Sequence, residues 1–159
     1  MDDNPQQPPK SYSSLAPSVS AVILLRADGA ALLQHRDDKP NLPRAGMWVP
    51  PGGHGHPDES AADCARREFH EETGYLCADL HWLTSVMDDP GPGYPPNLLH
   101  VFWSRYDGIQ PLDCREGQAL EFMPRSQATT AATPEIMLRL WDRALNDFSR
   151  TACNQGNKP

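Results

Sequence analysis

The chain has 159 residues, 38% hydrophobic and 22% charged, with a formal net charge of -7 and a sequence pI near 5.2. That length suits one domain whose core needs neither disulfides nor a structural metal. The acidic balance excludes nucleic-acid binding through a broad basic surface; a small anionic substrate stays open, because a bound divalent cation inverts the local field.

Residues 1–17 are rich in Pro, Gln, Ser and Asn and bury too little apolar surface to offset their ordering entropy, so they read as a flexible tail. The start of the chain lacks the basic segment and apolar stretch of a signal peptide. Val19 to Leu25 is a β-branched and aliphatic run, hence a strand; it is too short to span a bilayer. Asp28-Gly29 signals a turn, and Ala31 to His35 reads as the returning strand of a hairpin. Asp37 to Gly46 carries Pro40 and Pro43 and is a loop. Met47 to Val49 makes a short strand, stopped by Pro50-Pro51.

Ser60 to Thr73 reads as a helix, with Asp58, Glu59 and Ser60 supplying a cap and favourable negative charge at its start. Gly74 terminates it. Ala61, Ala62, Ala65 and Phe69 recur at helical spacing and form its apolar face. Leu80 to Met87 and Leu98 to Tyr106 are strands, separated by a loop with four prolines and two glycines. Another strand lies around Leu120 to Met123. Thr133-Pro134-Glu135 opens a second helix, whose buried stripe is Ile136, Leu140, Ala144 and Phe148. Trp82, Trp103 and Trp141 read as core. The domain therefore spans 18–150, and 151–159 reads as a second flexible tail. Strands flanked by two helices imply an α/β sandwich. Cys64, Cys77, Cys114 and Cys153 lie far apart without a Cys-x-x-Cys pair, which argues against a zinc site and for a reducing cytoplasm.

Glu68, Glu71 and Glu72 differ by three and four positions and so share one helix face, roughly 5–6 Å apart between Cβ atoms. No lysine is interleaved to relieve their repulsion. Such a triplet alone is most often a solvated acidic face, yet a hard oxygen-seeking cation would convert the repulsion into binding. Ahead of it, Pro51-Gly52-Gly53 brings main-chain groups close to a ligand, and Glu59 can pair with Arg67 to hold the loop on the helix.

Gly53, five residues, Glu59, seven residues, then Arg67-Glu68-Phe69-His70-Glu71-Glu72-Thr73-Gly74-Tyr75 resembles the signature box of the Nudix hydrolase family. The resemblance implies an α/β/α sandwich with a mixed β-sheet. It also implies hydrolysis of a pyrophosphate bond in a nucleoside diphosphate derivative, dependent on Mg²⁺ or Mn²⁺. Under it, Glu68, Glu71, Glu72 and the carbonyl of Gly53 are metal ligands, one helix glutamate deprotonates the attacking water, and Glu59 and Arg67 are structural. Dimers are common in the family, so a homodimer fits it. The closing position, usually aliphatic, is Tyr75, whose ring is expected in the core.

Outside the box, Glu116 either reaches the metals and acts as base, by resemblance, or is a loop carboxylate in water. Arg36 either contacts substrate phosphate, for which a guanidinium is well shaped, or pairs with Asp37 or Asp38. His54 and His56 have a spacing that could hold a transition metal, but solvent exposure is the simpler reading, as it is for His70. Tyr94 either stacks on a base or covers the core edge. The alternative to a hydrolase is a non-catalytic module of the same fold that senses a nucleotide; retention of all three glutamates argues against it.

Overall fold

The computed structural model describes residues 17–155. The proposed N-terminal tail lies outside the described residues except for Pro17. Strand β1 (Ser18–Leu25) is the centre of the architecture. It runs parallel to β6 (Asn97–Arg105) and antiparallel to β4 (Gly52–His54). Strand β5 (His81–Asp88) pairs antiparallel with β6 on its far side. A hairpin contact, Leu25 with Ala31, joins β1 to β2 (Ala31–His35), which lies between β3 (Trp48–Val49) and β7 (Ala119–Met123). The result is one mixed, seven-stranded sheet.

Two helices cover it. Because side chains alternate along a strand, Ala21, Ile23 and Leu25 face one side of β1 and Val22 and Leu24 the other. The first set packs with Leu99, Val101 and Trp103 against Met137, Leu140, Trp141, Ala144 and Phe148 of helix α2 (Glu135–Gln155). The second packs with Leu80, Phe102 and Tyr75 against Ala62, Ala65 and Phe69 of helix α1 (Ala61–Thr73). Burial on both faces explains why β1 reads as a continuous apolar run rather than an alternating one. The expected α/β/α sandwich with a mixed sheet is therefore the observed fold.

The expected elements are all present, with three differences. Strand β4 was not expected: two glycines carry no side-chain periodicity, and they pair with β1 through backbone alone, Ser20 with Gly53 and Ala21 with Gly52. In α2, Met137 and Trp141 join the buried stripe while Ile136 is only partly buried. Helix α2 also continues to Gln155, past the boundary placed at residue 150. Arg105 from β6 secures this extension: its Nη2 donates to the Phe148 carbonyl and to Thr151 Oγ1, and its guanidinium stacks 3.8 Å over the Phe148 ring. Trp103 and Trp141 are buried as expected, and Trp82 is partly so.

Candidate active site

Helix α1 delivers the acidic triplet, and both of its ends are fixed by the sequence. Ser60 caps the start by accepting from the Asp63 amide at 3.1 Å; Gly74 ends it in the left-handed region, φ 75°, where a side chain would be strained. Immediately beyond, Tyr75 is buried against Phe69 and Tyr106, and its hydroxyl donates to the Arg105 carbonyl and accepts from the Asp107 amide. The aromatic ring thus fills the position the resemblance gives to an aliphatic side chain.

Glu72 lies inside the protein, 5% exposed. It accepts from the Gly52 amide at 3.2 Å and from Gln34 Nε2 at 3.3 Å. Burial, followed by the neighbouring charges of Glu116 and Glu68, pushes its carboxyl up to about 8. Glu68 sits against Gly53 so closely that a Cβ there would enter its carboxylate, a physical reason for glycine at this position. Glu71 differs: its side chain is 57% exposed, and it reaches Arg67 at 3.4 Å.

Arg67 straps the box loop to the helix. Its Nε and Nη2 donate to the two carboxylate oxygens of Glu59 at 2.7 and 2.9 Å, Nη2 also to the His54 carbonyl at 3.0 Å, and Nη1 to Glu68 at 2.8 Å. Glu59 accepts in addition from the His56 amide at 3.0 Å, and these bonds lower its carboxyl to about 2. The expected Glu59–Arg67 pair is formed.

A cavity of about 320 Å³ opens beside this cluster. Glu68, Glu72, Gly52, Gly53 and Glu116 line it, as do Arg36 and His54; Glu71 and Tyr94 do not. Arg36 makes no ion pair with Asp37 or Asp38: Asp37 binds Lys39, and the Arg36 Nε is buried without a partner among the described residues. His54 and His56 are exposed and His70 is half-buried. Among the described residues no three histidine, cysteine, aspartate or glutamate side chains stand together as a metal cage. The reason is visible, since Glu68 and Glu71 turn towards Arg67 while Glu72 turns towards Gln34 and Gly52.

Four residues of the site were not singled out from the sequence. Gln34 braces Glu72 and also donates to the Glu116 carbonyl at 3.2 Å, tying the box helix to the 116 loop. A polar residue inside an apolar strand was the available signal. Arg44 and Asp88, which also line the cavity, form a bidentate pair at 2.7 and 2.6 Å across 44 positions of sequence. Asn97 lines the cavity with its Oδ1 buried and unpaired among the described residues.

This arrangement, carboxylates on a helix facing a glycine strand with a strapping arginine, has relatives. The sequence profile of the NUDIX domain matches residues 14–143. The chain belongs to the Nudix hydrolase family. It is 32% identical over 132 residues to a putative 8-oxo-dGTP diphosphatase of Bacillus subtilis, covering 82% of this chain and 78% of that protein. It is 38% identical over 80 residues to the bovine (Bos taurus) m7GpppN-mRNA hydrolase NUDT17, covering 49% of this chain but only 26% of that longer protein. The Nudix domain of Shewanella oneidensis NrtR, solved with ADP ribose, superposes with a TM-score of 0.69 at 18% identity, covering 88% of this chain and 92% of that one. This last likeness concerns the fold. No described helix of the chain is long and apolar enough to cross a membrane.

Proposed function

We propose that the protein hydrolyses a pyrophosphate linkage in a nucleoside diphosphate derivative, assisted by a divalent cation. The observation that carries this reading is the convergence of the box carboxylates Glu68 and Glu72, the Gly53 backbone, Glu116 and Arg36 on one cavity. A cation is well suited to the site: the donors are hard oxygens, and burial first, then the charges of Glu116 and Glu68, make the Glu72 carboxylate costly to keep ionised without a counter-charge. Glu68, Glu71, Glu72 and the Gly53 carbonyl would hold Mg²⁺ or Mn²⁺, Glu71 by turning away from Arg67. When bound, the cation supplies Lewis-acid neutralisation of the diphosphate and activation of water.

The remaining roles fall to the chain itself. Arg36 pairs with a substrate phosphate, where a guanidinium has the right fork of donors. Glu116 or Glu68, both on the cavity wall, accepts the proton of the attacking water. Glu71 stands third as base because it lies outside the wall. Attack at phosphorus breaks the bridging P–O bond and leaves two phosphorylated products. Kinship with hydrolases of 8-oxo-dGTP and of capped RNA supports the bond type; the organic group carried by the diphosphate is a separate question.

The test is product release from a panel of nucleoside diphosphate derivatives, with and without Mg²⁺, for wild type, Glu72→Gln, Glu68→Gln and Glu116→Gln. Metal-dependent cleavage by wild type, lost in Glu72→Gln with an unchanged fold, is expected. Of the two candidate bases, the one whose substitution depresses kcat with little change in KM is the acceptor. Tight nucleotide binding with no cleavage of any panel member would favour the sensing module instead.

A further inference from the structure

The cavity has a second wall, made by the strand ends, which starts at the Gly52 contact with Glu72 and extends across β1 and β6 to β5. Registers place its parts side by side. His54 and Gly52 of β4 lie opposite Val19 and Ala21 of β1, Val19 lies opposite Leu99 of β6, and Asn97 of β6 lies opposite Asp88 of β5. With adjacent strands about 4.8 Å apart, this floor is roughly 14 Å wide, three spacings from β4 to β5. Its middle is apolar: Val19, Ala21 and Leu99, with Met137 of α2, Val49 and Pro50 closing around them. Its far edge is polar, formed by Asp88, Arg44 and Asn97.

The two kinds of polar group on this edge are in opposite states. Asp88, 4% exposed, is saturated by the Arg44 fork. It therefore fixes the wall and has little capacity left for a ligand. Asn97 is its cross-strand neighbour, and its Oδ1 is buried with no donor among the described residues. A buried unpaired carbonyl costs stability, and a leucine there would remove the cost. An acceptor in this state on a cavity wall is open to a donor carried by a ligand.

We propose that Asn97 is a specificity-determining residue that reads the nitrogenous ring of the substrate. The apolar floor takes the flat face of the ring, and Asn97 Oδ1 accepts a hydrogen bond from a ring or exocyclic N–H. The Arg44–Asp88 pair is a positioning device that holds β5 and the 36–47 loop at the ring's edge. This assignment rests on the pyrophosphohydrolase reading for the placement of the diphosphate, and it adds which residue chooses the organic moiety. Apolar contact alone discriminates weakly between similar rings, whereas a buried acceptor rejects a ring that offers no donor.

The experiment uses binding without turnover, so that a failure of catalysis leaves it decisive. The full-length protein is titrated by NMR, without metal, with AMP, GMP, CMP, UMP and ribose 5-phosphate, for wild type, Asn97→Leu and Asn97→Asp. At least one mononucleotide is expected to bind wild type more tightly than ribose 5-phosphate does and to shift the Asn97 side-chain amide. Asn97→Leu should weaken that nucleotide about 10-fold, leave ribose 5-phosphate unchanged and raise the thermal midpoint. Asn97→Asp, which keeps an acceptor, should retain more of the preference than Asn97→Leu. Equal affinity of wild type for every probe, no binding at all, or a uniform loss in Asn97→Leu would overturn the assignment.

Discussion

Arg67 is the point at which the box can be broken with the most informative consequence. Its guanidinium makes two bonds to Glu59, one to Glu68 and one to the His54 carbonyl, all between 2.7 and 3.0 Å, with 26% of its side chain exposed and 15% of that of Glu59. An exposed pair contributes about 0.2–1 kcal/mol, whereas removing one partner of a buried pair costs about 3–5. This pair is mostly enclosed but reachable by water, so Arg67→Ala should cost about 2–3 kcal/mol. At this chain length that is a fall of roughly 4–12 °C in Tm. Arg67→Lys should recover less than half of the loss, because an ammonium cannot span both oxygens of Glu59. Urea unfolding of wild type, Arg67→Ala, Glu59→Gln and the double variant isolates the pair, with an expected coupling of about 1–2 kcal/mol. A loss below about 0.5 kcal/mol for Arg67→Ala, or additive single variants, would refute the claim that this arginine holds the loop on the helix.

Adjacent glycines should behave oppositely. A Cβ at Gly52 would lie 2.7 Å from Ala21 Cα and press on the Ser20 carbonyl, both backbone, so Gly52→Ala should cost about 1–3 kcal/mol in urea unfolding. At Gly53 the obstacle is the movable Glu68 carboxylate, so Gly53→Ala should keep its Tm and lose hydrolysis. Acid stability should report on Glu59. Its carboxyl is lowered to about 2 against an ordinary 4.5, so its contribution is complete above pH about 4.5 and is lost as the pH falls towards 2; Glu59→Gln should flatten that limb in a pH series of melts. In thiol titration of the native protein, Cys114 and Cys153 should react fast. Buried Cys64 should be slow, as should Cys77, whose thiol burial pushes up to about 12.

What could be read from the chain depended on whether the governing interaction was local. The Glu68, Glu71 and Glu72 face, the Ser60 cap and the Gly74 stop all lie within one turn or two, and spacing alone exposed them. Strand β1 was legible because burial on both faces leaves an uninterrupted aliphatic run. Strand β4 was not, since glycine carries no periodicity and its only credential is the pairing with β1. The last turns of α2 look polar, and what secures them is Arg105, 43 residues from Phe148. Arg44 and Asp88 were each unremarkable in sequence, because a loop arginine and a strand-end aspartate meet only once the sheet has formed. For Arg36, of the two readings the sequence left open, a phosphate contact or an aspartate pair, the structure forms no aspartate pair and leaves Nε buried and without a partner among the described residues on the cavity wall.

The Arg44–Asp88 lock also bears on how such a protein diversifies. The chain leaves β5 at a residue already anchored to another loop, wanders through four prolines and two glycines, and re-enters the sheet at Asn97. Among the described residues, Gly91 and Gly93 have no neighbour within 4 Å of where a side chain would begin. Exchanges at these two positions therefore meet no described side chain, and of this loop only Pro90 reaches the cavity that Glu68 and Glu72 also line. Selection can rewrite one bank of the cleft while the bank that holds the acids stays untouched, so a change of diet need not pass through a broken catalyst.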